Sequence, residues 1–173
     1  RDFFFVLLLA TMMLPAQVTM IPVFVLFREL NWPNSFLPLF VPAFFGNAFF
    51  IFLLRQFFMT IPTELDDAAK IDGCSYIGIW WRIMLPLVKP ALATVAIFAF
   101  IGNWNDFLYP LIYLNDESKF TLTLGLATFR GVYTTQWALL MAASVVVLLP
   151  CLIVFFLAQR QFVEGITFAG LQG

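Results

Sequence analysis

Acidic, amide and small residues gather at two places in an otherwise apolar chain of 173 residues. The first is residues 62–90, PTELDDAAKIDGCSYIGIWWRIMLPLVKP, which hold seven of the nineteen charges. There is no histidine, which removes the commonest general base and metal ligand. Cys74 and Cys151 form no cluster, so a catalytic metal site is unsupported. What remains at 62–90 is either a docking surface or an amphipathic surface loop without a partner, with carboxylates at Glu64, Asp67 and Asp72 around the small residues Ala68, Ala69 and Gly73. The second place is Gly102-Asn103-Trp104-Asn105-Asp106. One carboxylate and two amides beside an aromatic ring suit a sugar, whose hydroxyls need hydrogen-bond partners and whose apolar faces stack on rings. A structural reading stands beside it and is preferred: this is the outer end of a helix, where Asp106 is solvated or fixes the external loop.

The elements around the first place are short and polar. Thr63-Glu64-Leu65-Asp66 fits the capping pattern of a hydroxyl followed three positions later by an acid, after Pro62, and predicts a helix start. Glu64, Asp66 and Asp67 then complement the positive end of the helix dipole. Gly73 is the expected stop, because glycine adopts the left-handed conformation without steric cost. Ser75 can cap a second helix that runs through Trp80, Trp81 and Arg82 to Pro86. Ala68 and Ala69 allow another surface close to the backbone, and Trp80, Trp81, Ile83 and Leu85 can anchor the second helix to the bundle or to the membrane interface.

The rest of the chain is membrane-like. It is 62% hydrophobic and 11% charged, against about 45–50% and about 25% for a soluble domain. Runs of 25 uncharged residues separate Asp2 from Arg28 and Glu29 from Arg55, and 29 more extend from Gly131 to Gln159. A further apolar stretch covers Pro90 to Tyr113, broken only by Asp106. A span needs about 20 residues, so four transmembrane helices are predicted, the first two over about Phe3–Phe27 and Phe36–Phe57. The first is read as a retained helix rather than a signal peptide. Pro15, Pro22, Pro38 and Pro42 free carbonyls inside these spans and imply packing against protein or a cavity. With four spans, Arg1, Arg55, Lys70, Arg82, Lys89 and Arg160 share one side and Arg28, Lys119 and Arg130 the other. Six against three favours cytoplasmic ends and a cytoplasmic 55–89 segment. The Asn31-Trp32-Pro33-Asn34 run predicts a tight turn, whereas 114–136, with Phe120, Leu122, Leu124 and Leu126 alternating, fits either a strand or a short interfacial helix. A net charge of -1 without a basic run gives no reason to expect nucleic acid.

Asp67-Ala68-Ala69, three residues, Gly73, nine residues, Ile83, one residue and Leu85-Pro86 resemble the cytoplasmic EAA signature of permease subunits in binding-protein-dependent ABC importers. Six of seven fixed identities match; Asp67 replaces the signature glutamate and keeps the charge on a shorter stem. PALATVAIFAFIGNWNDFLYPLIYL and the end, FLAQRQFVEGITFAGLQG, resemble the carbohydrate branch, specifically the maltose-type second permease subunit. The resemblance implies an all-α polytopic membrane helical bundle, one permease domain over 1–173, with a helix-turn-helix coupling loop at about 58–89. It also implies two spans upstream of Arg1. The expected function is import of a sugar across a bacterial-type plasma membrane, and Glu64, Asp67, Ala68, Ala69, Asp72, Gly73, Leu85 and Pro86 couple the bundle to an ATPase. Expected partners are an ATP-binding subunit dimer that holds ATP and Mg, a second permease subunit, a soluble solute-binding protein and membrane lipid. No phosphate-binding GxxxxGK[ST] loop occurs here, so no cofactor is expected on this chain. An amino-acid or peptide importer of the same family is the second reading. A passive channel or scaffold is the third, and it would need no docking loop; an intramembrane enzyme would have to rely on Asp106 alone.

Overall fold

The computed structural model describes residues 2–131 and 135–170, with side chains over 3–131 and 135–159. Arg1, residues 132–134 and the 171–173 end of the carbohydrate-branch resemblance lie outside the described residues, as does the side chain of Arg160. In chain order the α-helices are α1 Asp2–Met12, α2 Ala16–Glu29, α3 Leu37–Phe40, α4 Ala48–Phe58, α5 Glu64–Ile71, α6 Tyr76–Ile79, α7 Leu85–Leu87, α8 Lys89–Trp104, α9 Leu108–Tyr113, α10 Leu122–Leu126 and α11 Trp137–Gly170. Short 3-10 turns occupy Val41–Phe45, Glu117–Lys119 and Ala127–Phe129, and a π-helical turn covers Trp80–Met84. The described residues contain no strand beyond one isolated bridge between Arg130 and Thr135. The protein is therefore all-α, and 114–136 takes the helical of its two sequence options.

Two helices, Leu37–Phe58 and Trp137–Gln159, are each long and apolar enough to cross a membrane, or up to four if each of two bent pairs is one span. The expected first span is corrected here: it is two helices bent by 96° rather than one over Phe3–Phe27. Pro15 is extended, with φ −60° and ψ 133°, and has no N–H to give. The helix ends ahead of it in tight turns from the N–H of Met13 to the Ala10 carbonyl and from Leu14 to Thr11. Pro22, by contrast, is accommodated inside α2. The third stretch is also shorter than expected, since α8 stops at Trp104 and α9 is a separate helix. The second bent pair is Tyr76–Leu87 with Lys89–Trp104, at 67°. Its widened turn lies just before Pro86, where the N–H of Leu85 reaches back to the Trp80 carbonyl. Pro86 cannot donate to Arg82, so the ladder is already irregular there.

The chain forms two compact units, residues 1–48 with 100–155 and residues 49–99 with 156–173. In the first, Tyr113, Leu114, Leu124 and Phe27 are buried. Tyr113 stacks on Phe24 at 6.1 Å and meets Phe27 edge-on at 5.5 Å, while Phe27 stacks on Trp32 at 5.1 Å. The expected turn at 31–34 is present, with Asn31 and Asn34 left-handed at φ 56° and 58°. In the second unit, Ile79, Val88, Ala91, Ala69 and Ile97 are buried. Only 6% and 11% of the apolar windows of the two long helices are buried within the chain, as expected where lipid or other protein covers the outer faces.

Candidate functional site: the 62–90 segment

Helix α5 begins at Glu64, one residue beyond Thr63 as the sequence predicts, but Thr63 does not cap it with its side chain. Its φ of −67° and ψ of −22° are already helical, whereas a capping hydroxyl needs an extended backbone to turn toward the first free N–H groups. The Thr63 carbonyl instead accepts from the N–H groups of Asp66 at 3.0 Å and Asp67 at 3.1 Å. Asp66 and Asp67 turn to Lys70, whose Nζ donates to them at 2.6 and 3.3 Å. These hydrogen bonds, Asp66 first, raise the Lys70 pKa above its ordinary value. The ammonium also lies 6.0 Å from the centre of the Tyr76 ring, which follows the bend.

The bend itself follows from Gly73, at φ 78°. Gly73 N–H donates to the Lys70 carbonyl at 3.0 Å, and Cys74 N–H donates to the Ala69 carbonyl at 2.9 Å. This pair of bonds is the Schellman arrangement, which satisfies the last carbonyls of α5 and needs a left-handed residue at this position. Ser75 then caps the second helix: extended at ψ 157°, its hydroxyl accepts from the Gly78 N–H at 3.2 Å. The two small residues part company. Ala69 is only 5% exposed and packs inside its own unit, while Ala68 faces out with Glu64, Asp72 and Gly73. Leu85 is half-buried and Pro86 exposed. The sequence reading missed Ile71, which is 87% exposed at the apex beside Asp72 and Gly73. An isoleucine held open to solvent by a fixed turn was detectable only as the last apolar residue before the glycine.

At the second sequence-predicted place, Trp104, Asn105 and Asp106 bond within their own unit. Trp104 Nε1 donates to the Val147 carbonyl at 3.0 Å, and the Trp104 carbonyl accepts from Thr123 Oγ1 at 2.7 Å. Asn105 Nδ2 donates to the Ile101 carbonyl at 2.9 Å. Asp106 Oδ1 accepts from the Tyr109 N–H at 3.3 Å, at the start of α9. Asn103 is exposed and also has interactions. Nearby, an open groove of about 510 Å³ lies between the 117–129 segment and α11, lined by Phe120, Leu122, Leu126, Phe129, Val146 and Val147. A clasp that the sequence did not reveal holds that segment: Asn34 Oδ1 accepts from the N–H groups of Asn115 at 3.3 Å and Asp116 at 3.1 Å, and its carbonyl accepts from Lys119 Nζ at 2.9 Å. Hydrogen bonds from the Ser118 hydroxyl and N–H hold the Asp116 carboxyl below its ordinary pKa.

The chain is similar to the arabinooligosaccharides transport system permease protein AraQ of Halalkalibacterium halodurans, with 40% identity over 173 residues that cover all of this chain and 62% of that protein. It is similar to the sn-glycerol-3-phosphate transport system permease protein UgpE of Yersinia pestis, with 39% identity over 168 residues that cover 96% of this chain and 59% of that one. The chain thus spans less than two thirds of the length of these relatives. Its fold matches the crystal structure of a bacterial ABC transporter involved in the import of the acidic polysaccharide alginate, with a TM-score of 0.76 and 28% identity over 91% of this chain and 60% of that one. The family model described as "binding-protein-dependent transport system inner membrane component" matches residues 1–167. With its apolar helices and its Gly73 bend, the chain belongs to this family of multi-pass inner-membrane transport components.

Proposed function

We propose that the chain forms the membrane-spanning part of a permease subunit in an ATP-driven importer of a sugar, and that residues 62–86 dock on an ATP-binding subunit. The observation that carries this reading is the fixed apex of that segment, where the Schellman turn at Gly73 holds Ile71 out beside Ala68 and Asp72. An exposed apolar knob on a rigid turn has the form of an anchor for a recess on a partner. ATP and Mg belong to the partner in this reading, and hydrolysis takes place there. Closure of the ATP-binding dimer would pull on α5, and the turn would pass that motion to the second helix and α8. A second permease subunit and a soluble solute-binding protein complete the assembly, with 55–89 on the cytoplasmic side. The sugar assignment draws support from the relative named for arabinooligosaccharides and from the alginate importer. In this reading Asn103, Trp104, Asn105 and Asp106 shape the outer part of the subunit.

The test is copurification of the full-length subunit with its ATP-binding subunit, together with sugar uptake, for the native protein and Ile71→Asp. Ile71 is 87% exposed and buries almost nothing against the described residues, so the variant should reach the membrane normally. Loss of a central anchor costs about 2 kcal/mol or more, so recovery of the ATP-binding subunit should fall roughly tenfold or more, with uptake falling in parallel. Undiminished copurification and uptake would remove the docking role.

A further inference from the structure

The second half of the 62–90 segment carries exposed aromatic side chains and cations without a carboxylate partner, which the first half lacks. Along Tyr76–Leu87, Ile79 is 3% exposed and Ile83, Met84 and Leu85 are half-buried, which defines the inner side. Trp80 and Trp81 are 49% and 62% exposed, with rings 5.7 Å apart and tilted by 42°. Each lies four residues beyond another exposed residue with apolar surface, Tyr76 before Trp80 and Ile77 before Trp81. The side chains of Arg82 and Lys89 are exposed and make no hydrogen bond or ion pair with any described residue. Lys70, in contrast, is committed to Asp66 and Asp67.

Covalent continuity bears on where these side chains lie. At Val88, which is buried, the helix turns by 67° and continues as α8, an apolar helix without a charge after Lys89. With α8 as the apolar, membrane-entering arm of this bent pair, a short helix joined to it at 67° runs along the surface that α8 enters. Paired tryptophans at headgroup depth, with cations beside them, fit that surface better than either water or hydrocarbon. Indole offers an apolar body and one N–H donor, and the two cations, which have no ion-pair partner among the described residues, complement anionic phosphate.

We infer that the Tyr76–Lys89 segment is an interfacial helix that binds anionic phospholipid, with Trp80 and Trp81 seated at headgroup level and Arg82 and Lys89 pairing with lipid phosphate. The occupant is a lipid surface, and the binding requires no ATP-binding subunit; within the 62–86 docking segment the partner contact then falls to α5 and the Ile71–Gly73 apex, so either proposal can fail without the other. One end of the segment is thereby held by the bilayer while the other stays free to follow a partner.

The test uses the protein reconstituted in mixed phosphatidylcholine and phosphatidylglycerol vesicles in which one lipid or the other carries bromine near the glycerol end of its chains. Bromine quenches nearby tryptophan fluorescence. The contribution of Trp80 and Trp81 is isolated by subtracting the signal of the Trp80→Phe/Trp81→Phe protein. That contribution should be quenched more by brominated phosphatidylglycerol than by brominated phosphatidylcholine at equal mole fraction. Arg82→Gln and Lys89→Gln should each weaken the preference by about fivefold at low salt. Arg82→Lys should retain it, which separates loss of charge from loss of fold. Equal quenching by the two lipids, no quenching by either, or shielding of these tryptophans from lipid once an ATP-binding subunit is added would each overturn the assignment.

Discussion

Gly73 combines a left-handed φ of 78° with open space around the position where a Cβ would stand. A Cβ there meets no atom beyond its chain neighbours within 4 Å, so the penalty that the site itself imposes is that of the backbone conformation. For a β-branched residue that penalty is about 1–3 kcal/mol, while asparagine tolerates the region better. If the chain works in the proposed importer, uptake by the full-length assembled complex should therefore fall in the order Gly73, Gly73→Asn, Gly73→Val, with the valine protein still present in the membrane and the proposed ATP-binding partner still able to bind nucleotide. Normal sugar-stimulated uptake by Gly73→Val would show that the bend transmits nothing. The requirement at this residue was legible in the sequence because a left-handed turn after a helix selects one residue type. Thr63 was misread for the opposite reason. A hydroxyl before a helix caps it only when its own backbone is extended, and no single residue type dictates that.

Helices α5 and α6 are too short to persist alone, so their ends matter more than their interiors. Ser75 supplies the side-chain cap of the second helix, and removal of such a cap typically costs about 1 kcal/mol. Ser75→Ala should speed amide exchange at Gly78 by about fivefold and leave the amides of α8 unchanged. Unaltered protection at Gly78 would mean that packing of Ile79, rather than the cap, starts this helix. The elements also show why charge-free runs overstate helix length. Hydropathy measures whether residues 3–27 prefer lipid, yet the 96° bend depends on Pro15 withholding one N–H and taking an extended ψ. Pro22 in the same run leaves its helix intact, so the presence of proline does not tell a break from a tolerated kink.

For the molecule as a whole, the distribution of Lys and Arg predicts which side of the membrane each loop occupies. Single cysteines introduced at Thr63 and at Glu117, after replacement of Cys74 and Cys151 by serine, test this in intact cells. An impermeant thiol reagent should label position 117 and leave position 63 unlabelled until the membrane is opened. Labelling of position 63 from outside would reverse the orientation and place the docking apex on the wrong side for an ATP-binding partner.

The sequence by itself determined the membrane class, the all-α architecture, the family and the position of the Gly73 bend. Each of these depends on local composition or on residue types at fixed spacing, and both act over one helix length or less. Tertiary structure alone decided which of two adjacent alanines is buried, that Ile71 stands exposed, and that Trp80 and Trp81 face outward while Ile83 and Leu85 turn inward. It also decided that Asn34 clasps Asn115 and Asp116, 81 and 82 residues away. Side-chain direction depends on where the neighbouring helices lie. That placement arises from contacts between residues far apart in the chain, which no local pattern encodes.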